Sequence, residues 1–413
     1  MKDPADSTQT ETKLDGRIDP ESELPILAMP REGMPPLVDD DALLAECIEA
    51  LGSGTGPVAI DTERAQSFRY SGRAYLLQLR RSGAGTWLID PQAFEPGDGS
   101  VADLGALREA IIDAEWIIHA ANSDLPCLVE LGLLPERLFD TELAGRLLGL
   151  PRVGLGPMTE SYFGVHLLKE HSAADWSKRP LPADWVAYAA LDVELLIELR
   201  ALLWRQLHEE GKWAWAQQEF AHMIDAHRTP PDPPAEPWRH VNGLHTVHSR
   251  RGLALVREIW GERDRLAHDL DRAPGKILPD KAISELAGRI TKESPEVPGM
   301  AQMDAIMGFK RRNARRYRGR WVAAATRVAR MPESELPRLR VPHEGPSHQP
   351  RNWQRTNPDA WRRWQRVRPA MNRLAKALRV PPENLIAPEP LRWLAWEPLE
   401  AVDAEHAAAR LAA

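Results

Sequence analysis

Apolar and polar positions fall into two regimes along this chain. Up to about residue 226, short apolar runs alternate with amphipathic stretches; beyond it only helical spacing persists. DDDALLAECIEALG at 39–52 predicts a helix, and PVAIDTER at 57–64 is an apolar run short enough for a buried strand. AYLLQLR and GTWLID follow, parted by the turn-like RSGAG, which predicts an antiparallel meander. Next come a helix near 103–113, the strand EWIIHA, a helix near 124–131, the short strand RLFD and more helices. Strands that pair first and then alternate with helices predict a mixed sheet packed between helices.

Proline clusters punctuate the pattern. HRTPPDPPAEP at 227–237 cannot continue a helix and predicts an extended spacer, and MPESELPRLRVPHEGPSHQP at 331–350 predicts a second. Residues 1–36 are polar, acidic and without a periodic apolar face, so they are expected to form a disordered leader. The expected division is an α/β domain at 37–226, a linker at 227–237, a helical module at 238–325, a linker at 326–350 and a second helical module at 351–413.

Composition narrows the classes. A chain of 413 residues exceeds what one core usually serves. With 43% hydrophobic and 27% charged residues it reads as soluble, and no apolar run approaches the ~20 residues that cross a bilayer. The start, MKDPADSTQTETKLDG, lacks the features of a signal peptide, so a cytoplasmic location is expected. Two isolated cysteines, Cys47 and Cys127, exclude a disulfide framework and a zinc cluster, leaving oxygen ligands for any metal. The net charge of -7 hides an asymmetry, because arginine crowds 311–320 and 351–379, where a local basic face can hold phosphates.

Candidate chemistry begins at Asp61 and Glu63, two residues apart on a strand and therefore on one face. With 60 acidic residues in 413, about nine such pairs arise by composition, so position matters more than the pair itself. Here an apolar strand delivers both acids to a sheet edge. Asp124 follows EWIIHA, where a helix cap is the competing role. Tyr188 and Asp192 stand four apart on one helical face, a spacing that also suits a half-buried pair. Asp140 reads as a helix cap, and His119 and Asn122 read first as strand-end and turn residues.

The ordered set D-x-E, a later Asp, then Y-x3-D resembles the tyrosine branch of the DEDD exonuclease superfamily. LLQL, FDTELAGRLLG and LLKEHSAADWSKRPLPADWVAYAALDVELL resemble ribonuclease D in particular, over roughly 50–210. The resemblance implies a ribonuclease H-like fold and a 3′-to-5′ exoribonuclease releasing nucleoside 5′-monophosphates. It implies two divalent metal ions, Mg²⁺ or Mn²⁺, on Asp61, Glu63, Asp124 and Asp192, with Tyr188 positioning the attacking water. Lys169, Trp176 and Arg179 match a segment near the family's active site, and with Gln78, His119 and Asn122 they make the candidate substrate-binding set. The implied partner is RNA with a free 3′ end, transfer-RNA precursors above all, with no obligate protein partner.

The module at 238–325, through LALVREIWGERDRLAHDLDRAPGKIL and DKAISELA, resembles the HRDC domain, which implies nucleic-acid binding. Its tail RRNARRYRGRW offers dense arginine with Tyr317 and Trp321 for phosphate contact and base stacking. NRLAKALRVPPENLIAPEPLRWLA in the last module echoes that pattern as a divergent copy, with Trp353, Trp361 and Trp364 expected in its core. GSGTG at 52–56 and GLG at 154–156 lack the rest of a phosphate-loop or dinucleotide motif and are turns. Two rivals stay open: a DNA 3′-5′ exonuclease, and a catalytically silent RNA-binding scaffold.

Overall fold

The computed structural model describes residues 23–168, 173–340, 345–347 and 349–397. Eight strands are β1 (Ile26–Leu27), β2 (Leu37–Val38), β3 (Thr55–Arg64), β4 (Ala74–Ser82), β5 (Gly85–Ile89), β6 (Trp116–Ile118), β7 (Leu138–Asp140) and β8 (His166–Leu167). Six of them form one sheet in the order β2-β5-β4-β3-β6-β7. β3, β4 and β5 pair antiparallel as the meander, while β2, β6 and β7 add parallel partners. This is the mixed sheet expected from the sequence pattern.

Helices cover both faces. They are α1 (Asp41–Ser53), α2 (Gly105–Ile111), α3 (Leu125–Glu130), α4 (Thr141–Leu147), α5 (Leu155–Phe163), α6 (Ala183–Glu194), α7 (Leu196–Glu209) and α8 (Trp213–His227). Period-two alternation divides the sheet's side chains between two cores. Leu77, Leu79 and Ile89 join the large core, whereas Leu76 and Leu88 join a smaller one with Val186, Tyr188 and Ala189 of α6. The strand register sets Asp61 opposite Gln78 and Glu63 opposite Leu76, so the two acids share the α6 face.

The expected disordered leader is corrected for residues 23–36; residues 1–22 lie outside the described ones. β1 pairs with β8, and Leu27 is fully buried. Arg31 reaches Glu194 at the end of α6, Nε to Oε1 at 2.7 Å, and also Glu198 at 2.6 Å. The polar, proline-rich composition concealed these long-range partners. Glu194 is wholly buried, and after Arg31 its next cation is Arg80 at 3.8 Å. Arg31→Ala is therefore expected to cost about 3 kcal/mol by stranding a buried charge. Urea unfolding checks this, and a curve superposing on the parent's would mean Arg80 alone neutralises Glu194.

A separate helical core follows, built on α9 (Arg250–Asp269) with the helix Arg318–Arg330 against it. That helix passes the boundary set at 325, and Leu336 still packs into the core, so the module reaches further than prolines and composition indicated. Trp321 is also corrected from stacking platform to core: it is buried and its indole N–H donates to the Ala314 carbonyl. The last core is small, with Trp353 fully buried and Trp361, Trp364 and Trp396 packed around it.

Candidate active site

β3 ends in a register shift between Glu63 and Arg64, an irregularity of the kind that re-aims side chains at a sheet rim. Asp61 and Glu63 project from this end toward α6, whose Asp192 comes to meet them. One carboxylate oxygen from each of the three lies within 4.8 Å of the others. Burial pushes the Asp61 and Glu63 carboxyls well above the usual range, and repulsion from Asp124 and Asp192 pushes them further. Arg64 opposes this at Glu63.

Asp124 is the cap residue immediately before α3, yet its side chain makes no capping hydrogen bond. Instead it accepts from the Thr62 hydroxyl at 2.5 Å. Burial raises its carboxyl to about 6, against the lowering pull of that hydrogen bond. Thr62 is the residue between the two acids of D-x-E, and alternation turns it to the opposite face, toward α3. Sequence reading missed it, although period two alone would have placed it there.

Asp140 is a cap, and more. Its carboxylate accepts from the backbone N–H groups of Glu142 and Leu143 at the start of α4, and from Ala120 and Ala121. It thus holds the turn, with Ala120 left-handed at φ 60°, that leads into Asp124. With those bonds it has no role left as a ligand.

Tyr188 lies one turn before Asp192 on α6. Its ring is buried in the smaller core, 6.3 Å between centroids from Trp176. A cleft of about 220 Å³ opens beside Glu63, lined by Thr62–Ser67 and Ala173–Ala174.

The candidate substrate-binding set does not assemble as expected. Trp176 is fully buried against Trp185 and Tyr188, a core residue supporting the tyrosine. Arg179 grips buried Asp90 through Nε and Nη2, and donates further to the carbonyls of Tyr75, Trp176 and Lys178. With every donor position of its fork engaged, it ties a loop to the sheet and has none to offer a phosphate. Gln78 is fully buried beneath the site, out of a substrate's reach, and neither end of its amide has a hydrogen-bond partner among the described residues. His119 pairs with the Thr141 hydroxyl at 2.9 Å, and Asn122 is exposed on the turn before Asp124. Lys169 lies outside the described residues.

Three acids meet at one partly buried point, and Asp124 is near enough to repel Asp61 and Glu63, so the arrangement calls for positive charge bound by hard oxygen donors. A family model described as 3′-5′ exonuclease matches residues 35–208, and one described as 3′ to 5′ exonuclease C-terminal domain matches 345–413. A protein named ribonuclease D from Gluconacetobacter diazotrophicus is 31% identical over 298 residues, 71% of this chain and 72% of its own. A solved structure of a protein from Bifidobacterium adolescentis is 40% identical with a TM-score of 0.80, covering 91% of this chain and 92% of that one. Escherichia coli RNase D, an exoribonuclease involved in structured RNA processing, shares the fold. Its TM-score is 0.64 at 23% identity, over 87% of this chain and 90% of that one.

Proposed function

We infer the reaction from the premise that this chain belongs to the ribonuclease D family: it is a 3′-to-5′ exoribonuclease, a hydrolase of RNA phosphodiester bonds. The observation that carries the placement of the chemistry is the trio Asp61, Glu63 and Asp192, with oxygens within 4.8 Å. With Asp124 beside them they fit two divalent cations, Mg²⁺ or Mn²⁺, because these ions prefer hard oxygen donors. Gln78, an orphaned buried amide opposite Asp61, fits a site completed by a hydrated cation. Such ions, when bound, lower the pKa of water and neutralise charge on the phosphate and the leaving oxygen.

The chain's own part is geometric. Asp61 and Glu63 stand on a strand and Asp192 on a helix, so two rigid elements hold the donors from opposite sides. Thr62 fixes one oxygen of Asp124. A phenol's reference pKa of about 10 makes tyrosine a poor base at neutral pH, so Tyr188 serves to orient the attacking water by hydrogen bonding. Trp176 backs its ring and limits the hydroxyl's freedom, which is worth more to the transition state than to binding.

The substrate is RNA with a free 3′ end, transfer-RNA precursors in particular, and the two helical modules act as HRDC-type nucleic-acid contacts. The test offers purified protein a transfer-RNA precursor, matching single-stranded DNA and a 3′-blocked RNA, with and without divalent cations. Cation-dependent shortening of the precursor to nucleoside 5′-monophosphates, with the blocked RNA untouched, is expected. Faster cleavage of the DNA would favour the DNA exonuclease, and binding without cleavage would favour the scaffold.

A further inference from the structure

We propose that a groove at the junction of the nuclease domain and the first helical module holds the single RNA strand running 5′ from the scissile end. Its backbone lies on Arg272 and Lys276, and a base rests against Phe68. The proposal deepens the exoribonuclease reading and rests on it.

The cleft beside Glu63 is bounded by Thr62–Ser67 and Ala173–Ala174. Both walls continue along the chain into Phe68, Arg69 and Asp175. These line a second groove of about 350 Å³, closed on its far side by Leu270, Asp271, Arg272 and Lys276. A strand whose 3′ end reaches the carboxylates must pass its remaining phosphates away from four acids, and this groove is the neighbouring surface that offers cations.

Which of its charges are free is decided by their partners. Asp271 is spent: its Oδ1 accepts from the backbone of Tyr70 and Ser71, and its Oδ2 lies 3.6 Å from Arg73 and 3.9 Å from Arg69. Asp175 accepts from the Ser177 hydroxyl, which orients its carboxylate without cancelling its charge, so three basic residues face it in the groove's lining. Arg272 and Lys276, by contrast, are exposed and have no ion pair with a carboxylate among the described residues. The Lys276 ammonium stands 4.8 Å from the centroid of the half-buried Phe68 ring, so cation and aromatic face are already side by side. That pairing suits a phosphate and its base, with stacking that tolerates any sequence.

The groove is also stiff. The Ala273 N–H donates to the Phe68 carbonyl at 3.0 Å, and Asp271 holds a left-handed φ of 40° while gripping the loop opposite. A wall fixed from both sides loses little freedom when a strand settles on it.

The test uses the full chain with Arg272→Gln and Lys276→Gln together, and a charge-matched control, Arg152→Gln with Arg205→Gln, both exposed on the nuclease domain and outside the groove's lining. Affinity for a single-stranded RNA of roughly a dozen nucleotides is read by fluorescence anisotropy against salt, in chelator to prevent cleavage. Loss of two phosphate contacts should reduce the salt slope by about 1.4 and affinity about tenfold. With divalent cation, the ratio of kcat/KM for that RNA over a dinucleotide should fall by about the same factor. The control should keep the parent's slope and ratio. A double variant with the parent's slope and ratio, or a control that loses as much, overturns the groove. A parent that fails to cleave either RNA overturns the exoribonuclease reading instead.

Discussion

Asp61→Asn is expected to lose on the order of 10³-fold in trimming rate while making the metal-free protein harder to unfold; the rate loss is on the scale of removing a preorganised charge-stabilising group. The two effects share a cause. Asp61 is half-buried beside Asp124, Asp192 and Glu63, and its carboxyl is pushed well above the ordinary range by desolvation first and by those charges next. A group that holds its proton more tightly folded than unfolded costs stability as pH rises from its unfolded pKa, near 4, through its folded one. Asp124, raised to about 6, acts in the same direction. The metal-free parent should therefore lose melting temperature between about pH 4 and 6 and beyond. The asparagine variant, one charge lighter and of the same shape, should follow a shallower decline from a similar start and so be the more stable of the two at neutral pH. Adding Mn²⁺ at neutral pH should reverse the order, raising the parent more than the variant. Differential scanning fluorimetry with and without cation, beside a trimming assay, reads all of this. A variant that trims at the parent's rate, or gains as much from Mn²⁺, would remove Asp61 from the ligand set.

Tyr188→Phe should slow the chemical step roughly 10²-fold with little change in RNA or cation affinity, the scale of one lost positioning hydrogen bond. The ring is buried against Trp176 in the core that also holds Val186 and Ala189, and phenylalanine keeps that packing. Only the hydroxyl goes, so binding and chemistry separate. Single-turnover rates with RNA pre-bound and cation saturating isolate the step. A rate within about threefold of the parent would reduce Tyr188 to a packing residue, since tenfold corresponds to about 1.4 kcal/mol. Slow cleavage together with lost RNA binding would locate the damage in the site's structure and leave the hydroxyl without a role.

Local pattern made the fold class legible because it fixes faces and layers. The alternation in β3 and β4 sorts Leu77 and Leu79 from Leu76, and the same alternation puts Asp61 and Glu63 on one side. It could not reveal partners distant in sequence. Arg179 stood in the substrate-binding set on resemblance alone, and Asp90, just after β5, takes its fork. Trp176 stood there on the same resemblance and is covered by Trp185 and Tyr188 of α6, while Arg31, assigned to the leader, meets Glu194. Asp192 stands far along the chain from Asp61, so only the family resemblance, and no spacing rule, put the two in one set.

Asp61-Thr62-Glu63 also bears on how the sheet reaches its pairing. Were β3 to slide one residue against β4, both acids would turn into the large apolar core and Thr62 would lose Asp124. Two carboxylates in that layer would cost several kcal/mol each, far more than a slipped ladder could recover. The chemistry-bearing triplet therefore proofreads its own strand, and mispaired intermediates are expected to be short-lived ones, expelled before the helices of the large core close over them.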